Sequence, residues 1–276
     1  AAPTPPTRAG YRFDGWFAAS DLSGTAITFP YTHGQTSSFT LYAKWTANTL
    51  AITYSANGGT TVLNGSTTTD TTVSAAPTPP TRAGYRFDGW FAASDLSGTA
   101  ITFPYTHGQT SSFTLYAKWT ANDLVATFDS NSGSLVTAGA TKTAATLAAP
   151  TPPTRAGYRF DGWFAASNLS GTAIEFPYTH GRTADFTLYA KWSANTLAIT
   201  YNANGGTTVL NGSTTTDTTV SAAPTPPTRA GYRFDGWFAA SNLSGTAIEF
   251  PYTHGRTADF TLYAKWTANT LAITYN

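Results

Sequence analysis

The chain has 276 residues, no Cys, no Met, 11% charged residues and a formal net charge of +1 at pH 7. Basic and acidic residues are interspersed, which leaves no electrostatic footprint for nucleic acid or an anionic membrane, and no stretch approaches the ~18 apolar residues of a membrane span. A thiol-free composition rich in Thr, Ala, Gly and Ser suits an oxidising, protease-exposed exterior, and since Ala1 to Thr7 show no basic start or apolar run, signal or anchor segments are expected outside this stretch.

Internal repetition decides the domain organisation. The block Gly10-Tyr11-Arg12-Phe13-Asp14-Gly15-Trp16-Phe17 returns at Gly84, Gly157 and Gly231, so the matching tryptophans Trp16, Trp90, Trp163 and Trp237 recur at a spacing of about 74 residues. In chain order, Tyr11 and Phe13 alternate with Arg12 and Asp14, and Gly15 then interrupts the pattern, predicting a bulge or bend that turns Trp16 and Phe17 inward. Ala18 to Leu22 can make at most a turn or two of helix. Phe39, Leu41, Ala43 and Trp45 alternate with Thr40, Tyr42 and Lys44, predicting a strand with one core face and one wet face. Leu50, Ile52 and Tyr54 form another alternating set. Asn57-Gly58-Gly59 and Asn64-Gly65 predict tight turns, and Thr67 to Val73 predicts a Thr-rich strand. The Pro-rich segment Ala75 to Thr81 predicts an extended polyproline arm that cannot be a central strand.

The 8 Trp, 15 Tyr and 17 Phe all fall on repeat positions, Tyr54, Phe128, Tyr201 and Tyr275 sharing one of them. A domain of this size buries only about 60% of its surface, so without disulfides or a metal it needs large rings in its core. In the second copy the predicted core is Tyr85, Phe87, Trp90, Phe91, Phe103, Phe113, Leu115 and Trp119. Tyr105, His107 and Tyr116 are left as candidate surface contacts.

Two phasings fit these elements: the Pro-rich stretch either links domains or is an internal crossover. Asn57-Gly58-Gly59, Pro79 to Tyr85, Phe87-Asp88-Gly89-Trp90-Phe91 and Leu115-Tyr116-Ala117-Lys118-Trp119 together resemble the Listeria-Bacteroides repeats, related to the B-repeat of internalin, over the whole chain. That resemblance implies the second phasing and a mostly β, β-grasp-like unit that opens at the Ala-Ile-Thr-Tyr strand and closes at the Ala-Lys-Trp strand. The expected domains are an incomplete repeat lacking its first strand (1–47), complete repeats at 48–120, 121–193 (a variant) and 194–267, and the first strand of a following repeat (268–276). In the variant, Asp129-Ser130-Asn131-Ser132-Gly133 replaces the Asn-Gly-Gly turn, so its first loop is expected to differ.

Few side chains offer chemistry. The one His per unit, in Tyr-Thr-His-Gly, reads as a turn residue, with no carboxylate pair or Ser-centred elbow beside it. Asp129 to Gly133 mimics the start of a calcium loop but lacks a closing Glu and reads as an Asx turn, and Asn-x-Ser triplets such as Asn64-Gly65-Ser66 are expected to carry no glycan in a bacterial source. Lys44 is expected to pack its stem over a ring, Tyr42 or an aromatic of a neighbouring unit, and Arg182 to pair with Glu175 or Asp185, acquired together in the third copy. No cofactor, metal or catalytic residue is expected.

Junctions such as Thr46-Ala47-Asn48-Thr49 are too short for free tumbling, so neighbouring repeats should touch and the tandem array should form an elongated rod, each unit adding on the order of 30 Å. The expected role is an extracellular structural repeat region, a stalk or adhesin shaft of a bacterial surface or secreted protein, with a multivalent array for glycans or host proteins as the alternative. Residues 269 to 275 are a candidate for strand donation to an incomplete N-terminal repeat of a second copy, giving a filament.

Overall fold

The computed structural model describes residues 1–274, so Tyr275 lies outside the described residues. The chain forms two compact units, the first of Ala1–Asp123 with Lys142–Ala144 and Gly181–Ala184, the second of Leu124–Thr141, Ala145–His180 and the residues from Asp185 onward. Both are built from β-strands, and no helix occurs among the described residues.

In the first unit, β1 (Tyr11–Phe17) and β2 (Tyr42–Ala47) pair as a two-stranded antiparallel sheet. A four-stranded sheet follows, from β3 (Thr49–Ser55), β4 (Gly65–Thr68), β6 (Tyr85–Phe91) and β8 (Phe113–Ala121), in the order β4-β3-β8-β6. Its first and last strands are central neighbours and run parallel, Ile52 opposite Phe113 and Tyr54 opposite Leu115. A parallel pair demands a long crossover, supplied here by everything between the two strands, including the Pro-rich arm, which lies outside every strand. A short ladder of β5 (Thr72–Val73) and β7 (Tyr105–Thr106) completes the repeat.

The predicted Thr-rich strand is broken in two. Asp70 adopts φ 60° between β4 and β5, and the Thr71 hydroxyl donates to Thr68 O at 2.7 Å, a local bond that competes with continuing the ladder.

The alternation of β3 appears as strict burial: Leu50, Ile52 and Tyr54 are buried and Thr49, Ala51 and Thr53 exposed. Around Ile52 and Tyr54 gather Trp90, Leu115 and Ala117, with Phe87, Phe103, Phe113 and Trp119 partly buried at the margin. Phe87 meets Trp90 and Trp119 edge-on, both at 5.5 Å between centroids, and Tyr54 meets Trp90 at 4.9 Å, the arrangement ring quadrupoles favour.

The predicted bulge lies between Phe87 and Gly89, but its effect differs from the expectation. Only Trp90 enters the core cluster. Phe91 is buried outside it, with Lys118 Nζ 4.8 Å from its ring centroid and donating to Leu96 O at 3.4 Å. The ring under the lysine is therefore Phe91, as it is Phe17 under Lys44, and not the expected Tyr42. This contact leaves the face of β8 predicted to be wet half-buried at Thr114, Tyr116 and Lys118.

The second unit contains two sheets of the same order. One comprises β9 (Asp123–Asp129), β10 (Gly139–Lys142), β12 (Tyr158–Phe164) and β14 (Phe186–Ala194), with β11 (Thr146–Leu147) pairing β13 (Tyr178–Thr179). The other comprises β15 (Thr196–Asn202), β16 (Gly212–Thr215), β18 (Tyr232–Phe238) and β20 (Phe260–Ala268), with β17 (Thr219–Val220) pairing β19 (Tyr252–Thr253). Residues 269–274, expected to begin a strand, form none: they have no ladder partner among the described residues, and Leu271 and Ile273 are exposed.

Candidate functional site

The Asn-Gly-Gly loop is held at three points. Asn57, at φ 46°, donates its side-chain amide to Ala117 O at 2.8 Å, Trp119 Nε1 donates to Ala56 O at 2.9 Å, and Arg82 Nη1 donates to Asn57 O at 3.3 Å. A Cβ on Gly59 would stand 2.5 Å from Trp119 Cζ2, so the second glycine is required by the indole packed on it. The variant loop keeps this geometry, against the expectation. Asn131 donates to Ala190 O at 2.7 Å, Trp192 Nε1 to Ser130 O at 2.8 Å, and Gly133 meets Trp192 at the same 2.5 Å. Ser132, at φ 71°, takes the left-handed position. The Asx turn is formed, Asn131 N–H donating to Asp129 Oδ1 at 2.9 Å.

Of the candidate surface contacts, His107 is corrected: it is 3% exposed. Its Nδ1 accepts the Gln109 N–H at 3.2 Å, so Nε2 carries the proton and donates to Thr67 Oγ1, also at 3.2 Å. Phe113 closes over the ring at 5.1 Å. Both nitrogens are committed inside the fold, which leaves neither for proton transfer with a substrate. His254 repeats this arrangement with Arg256 N–H and Thr214. Tyr105 and Tyr116 are half-buried, Tyr116 opposite Phe91 in the ladder.

Among the predicted core residues, Trp90, Phe91 and Leu115 are buried, and Phe87, Phe103, Phe113 and Trp119 half-buried. Tyr85 stands outside the core cluster, with the Arg82 guanidinium 3.9 Å above its ring. Its place at the turn after the Pro-rich arm exposes one face, which the arginine covers.

The aspartates that the later copies acquire serve the backbone. Asp185 Oδ1 accepts the Val125 N–H at 2.8 Å and Asp259 Oδ1 the Ala198 N–H at 2.7 Å, where Ser112 accepts the Ala51 N–H in the second copy. Arg256, in the fourth copy, lies 5.8 Å from the Phe260 ring. Asp161 is held below the ordinary carboxylate range, first by the Ser193 hydroxyl donating to it and then by Arg159.

Grooves of about 400 Å³ lie between the loop before the second strand and the Pro-rich arm, lined by Leu135, Val136, Pro150 and Pro152 in the third copy and by Val209, Leu210, Pro224 and Pro226 in the fourth. No acid, base or His lines either, so they offer shape and a mixed polar and apolar surface without a reacting group. Among the described residues no group of three or more His, Cys, Asp or Glu is placed to hold a metal, and no helix is long and apolar enough to cross a membrane.

Three relatives extend the comparison beyond the chain itself. It is 33% identical to a protein described as a Gly-rich membrane protein of Evansella cellulosilytica over 96% of its own length and 30% of that protein's. A second Evansella cellulosilytica membrane protein is 33% identical over 86% of the chain and 34% of its own length. Internalin H of Listeria monocytogenes is 32% identical over 63% of the chain and 28% of its own length. The chain thus spans about a third of the curated relatives it matches. With matches at residues 1–44, 51–118, 125–191 and 198–265, it belongs to the Listeria-Bacteroides repeat domain family.

Proposed function

We propose that this chain is a non-catalytic structural region of a bacterial surface or secreted protein, a stalk or adhesin shaft of β-grasp-like repeats at 48–120, 121–193 and 194–267. The observation that carries this reading is the commitment of each repeat's chemistry to its own fold: the His nitrogens, the Asn loop amide and the Trp indole at the closing strand all bond inside the repeat. The mixed sheet with a parallel central pair supports the β-grasp-like description, and the names of the Evansella and Listeria relatives support a surface location. The test is display of the full chain and of a variant lacking residues 121–193 on a bacterial surface, with a fluorescent tag at the distal end. A shaft predicts that the deletion shortens the tag's height and abolishes no activity; an unchanged height rejects it.

A second reading, a multivalent ligand-binding array, is favoured by Leu63, Leu135 and Leu210, which are 89%, 98% and 89% exposed in the same loop of successive repeats. Binding to glycans or host proteins that rises steeply with repeat number supports it; no binding across both panels counts against it. Self-association into a filament through the exposed Leu271 and Ile273 is tested by light scattering at high concentration, where a monodisperse monomer rejects it.

A further inference from the structure

One glycine in each repeat is shaped for a neighbour. Gly10, Gly84, Gly157 and Gly231 follow Arg-Ala, precede Tyr, and adopt φ between 77° and 79°. The local corner around each is the same in all four copies. The Tyr N–H closes a turn onto the Arg carbonyl at 3.0 or 3.1 Å, the Arg side chain stacks on the Tyr ring at 3.7–3.9 Å, and an Asn N–H donates to the Gly carbonyl at 2.8 or 2.9 Å.

What differs is the occupant. A Cβ on Gly10 would stand 2.6 Å from Thr69 Cγ2 and 3.1 Å from Thr110 Cβ, both in the following repeat. The same contacts recur from Gly84 to Thr143 and Thr183, and from Gly157 to Thr216 and Thr257. At Gly231 no atom of the described residues lies within 4 Å, and Tyr232 is 38% exposed. The inserted threonines are buried: Thr69 and Thr216 are each 2% exposed and donate their hydroxyls to Gly10 O and Gly157 O at 2.7 Å. The next residue adds a bond, the Tyr11 and Tyr158 hydroxyls donating to Asp70 and Asp217 at 2.5 and 2.7 Å.

We propose that this glycine-tyrosine corner is the docking socket through which each repeat receives the threonine turn of the repeat that follows it, as at Gly10, Gly84 and Gly157. The occupant is set by chemistry seen in the filled sockets. At Gly10 and Gly157 a β-branched hydroxyl fits against a residue without a Cβ and reaches its carbonyl, while an aspartate at positive φ accepts from the tyrosine; at Gly84 the Thr143 side chain packs in the same place, with Ala144 where the aspartate stands. The Gly231 corner keeps the φ, the stacked arginine and the Asn269 N–H to Gly231 O bond with no threonine turn against it among the described residues, so these features do not depend on the docked turn. This adds an interaction surface to the structural reading above and does not depend on where the protein is displayed.

Gly231 supplies the control for its test. In the full chain, Gly157→Ala and Gly231→Ala place the same methyl at the same positive φ, but only the first meets threonines. Hydrogen exchange at the Thr216 amide, which donates to Asn195 O, reads the docked turn. G157A is expected to speed that exchange about tenfold and G231A to leave it unchanged; equal effects, or none, overturn the proposal. If G157A does not fold, the decision passes to Tyr158→Phe against Tyr232→Phe. Faster Thr216 exchange in Y158F alone supports docking, and unchanged exchange in Y158F overturns it.

Discussion

The indole nitrogen of Trp119 donates to the carbonyl oxygen of Ala56, 63 residues earlier, at 2.9 Å, and so ties the closing strand to the loop that follows the opening one. Trp90, in the same core, has its indole nitrogen buried with no hydrogen-bond partner among the described residues. The two rings should therefore respond differently to Trp→Phe. Trp119→Phe strands a carbonyl and loosens the loop, whereas Trp90→Phe loses ring area but removes an unsatisfied donor. We expect Trp119→Phe to cost about 1–2 kcal/mol more than the area change alone, and Trp90→Phe less than its area change. Denaturation midpoints of the two variants decide this, and equal shifts contradict it.

The threonine turn of the third repeat is the odd one. Ala144 stands at φ 59° where the other repeats have Asp70 and Asp217, and the hydroxyl of the adjacent Thr143 is buried without a hydrogen-bond partner among the described residues. Aspartate tolerates the left-handed region better than alanine and offers Tyr85 an acceptor. Ala144→Asp should therefore stabilise the turn by about 0.5–1 kcal/mol, read as slower exchange of the Thr143 amide.

Ser132 holds φ 71° at the position occupied by Gly58 and Gly205 in the neighbouring copies. Ser132→Gly should relieve that strain and raise the thermal midpoint slightly, by about 1–4 °C, while Gly58→Ser lowers it.

Two titrations carry opposite signs. The Asp161 carboxyl lies below its ordinary range in the folded chain because Ser193 and Arg159 favour its charged form. Its contribution to stability is complete above the unfolded value near 3.9 and is lost as pH falls through the folded value. Ser193→Ala should raise the Asp161 titration measured by NMR. The Tyr158 phenol is pushed up, first by donating to Asp217 and then by burial and the carboxylate charge. Its contribution is present below the unfolded value near 10 and is lost as pH rises through the folded one, so Asp217→Asn should lower the Tyr158 titration seen by ultraviolet absorbance.

Much of one repeat was legible in the residues alone. The period-two alternation of Leu50, Ile52 and Tyr54 and of Leu115 and Ala117 identified the two strands at the centre of the sheet, and the glycine after Asp88 marked the bulge. Such patterns are local, because successive side chains on a strand point to opposite faces whatever surrounds it. What covers a face is not local. Phe91 looked like a second core ring beside Trp90, yet Lys118 covers it from the neighbouring strand; His107 looked like an exposed turn residue, yet Thr67, 40 positions earlier, closes on its ring.

The sequence by itself determined that the chain is an array of near-identical β repeats, because copying at a fixed spacing and alternation of apolar side chains are properties of residue order. Only the tertiary structure decided which glycines are sockets and which threonines fill them. A glycine shows the conformation it permits, but the atoms that exploit its missing Cβ come from a segment about 60 residues away, and only folding brings them within 3 Å.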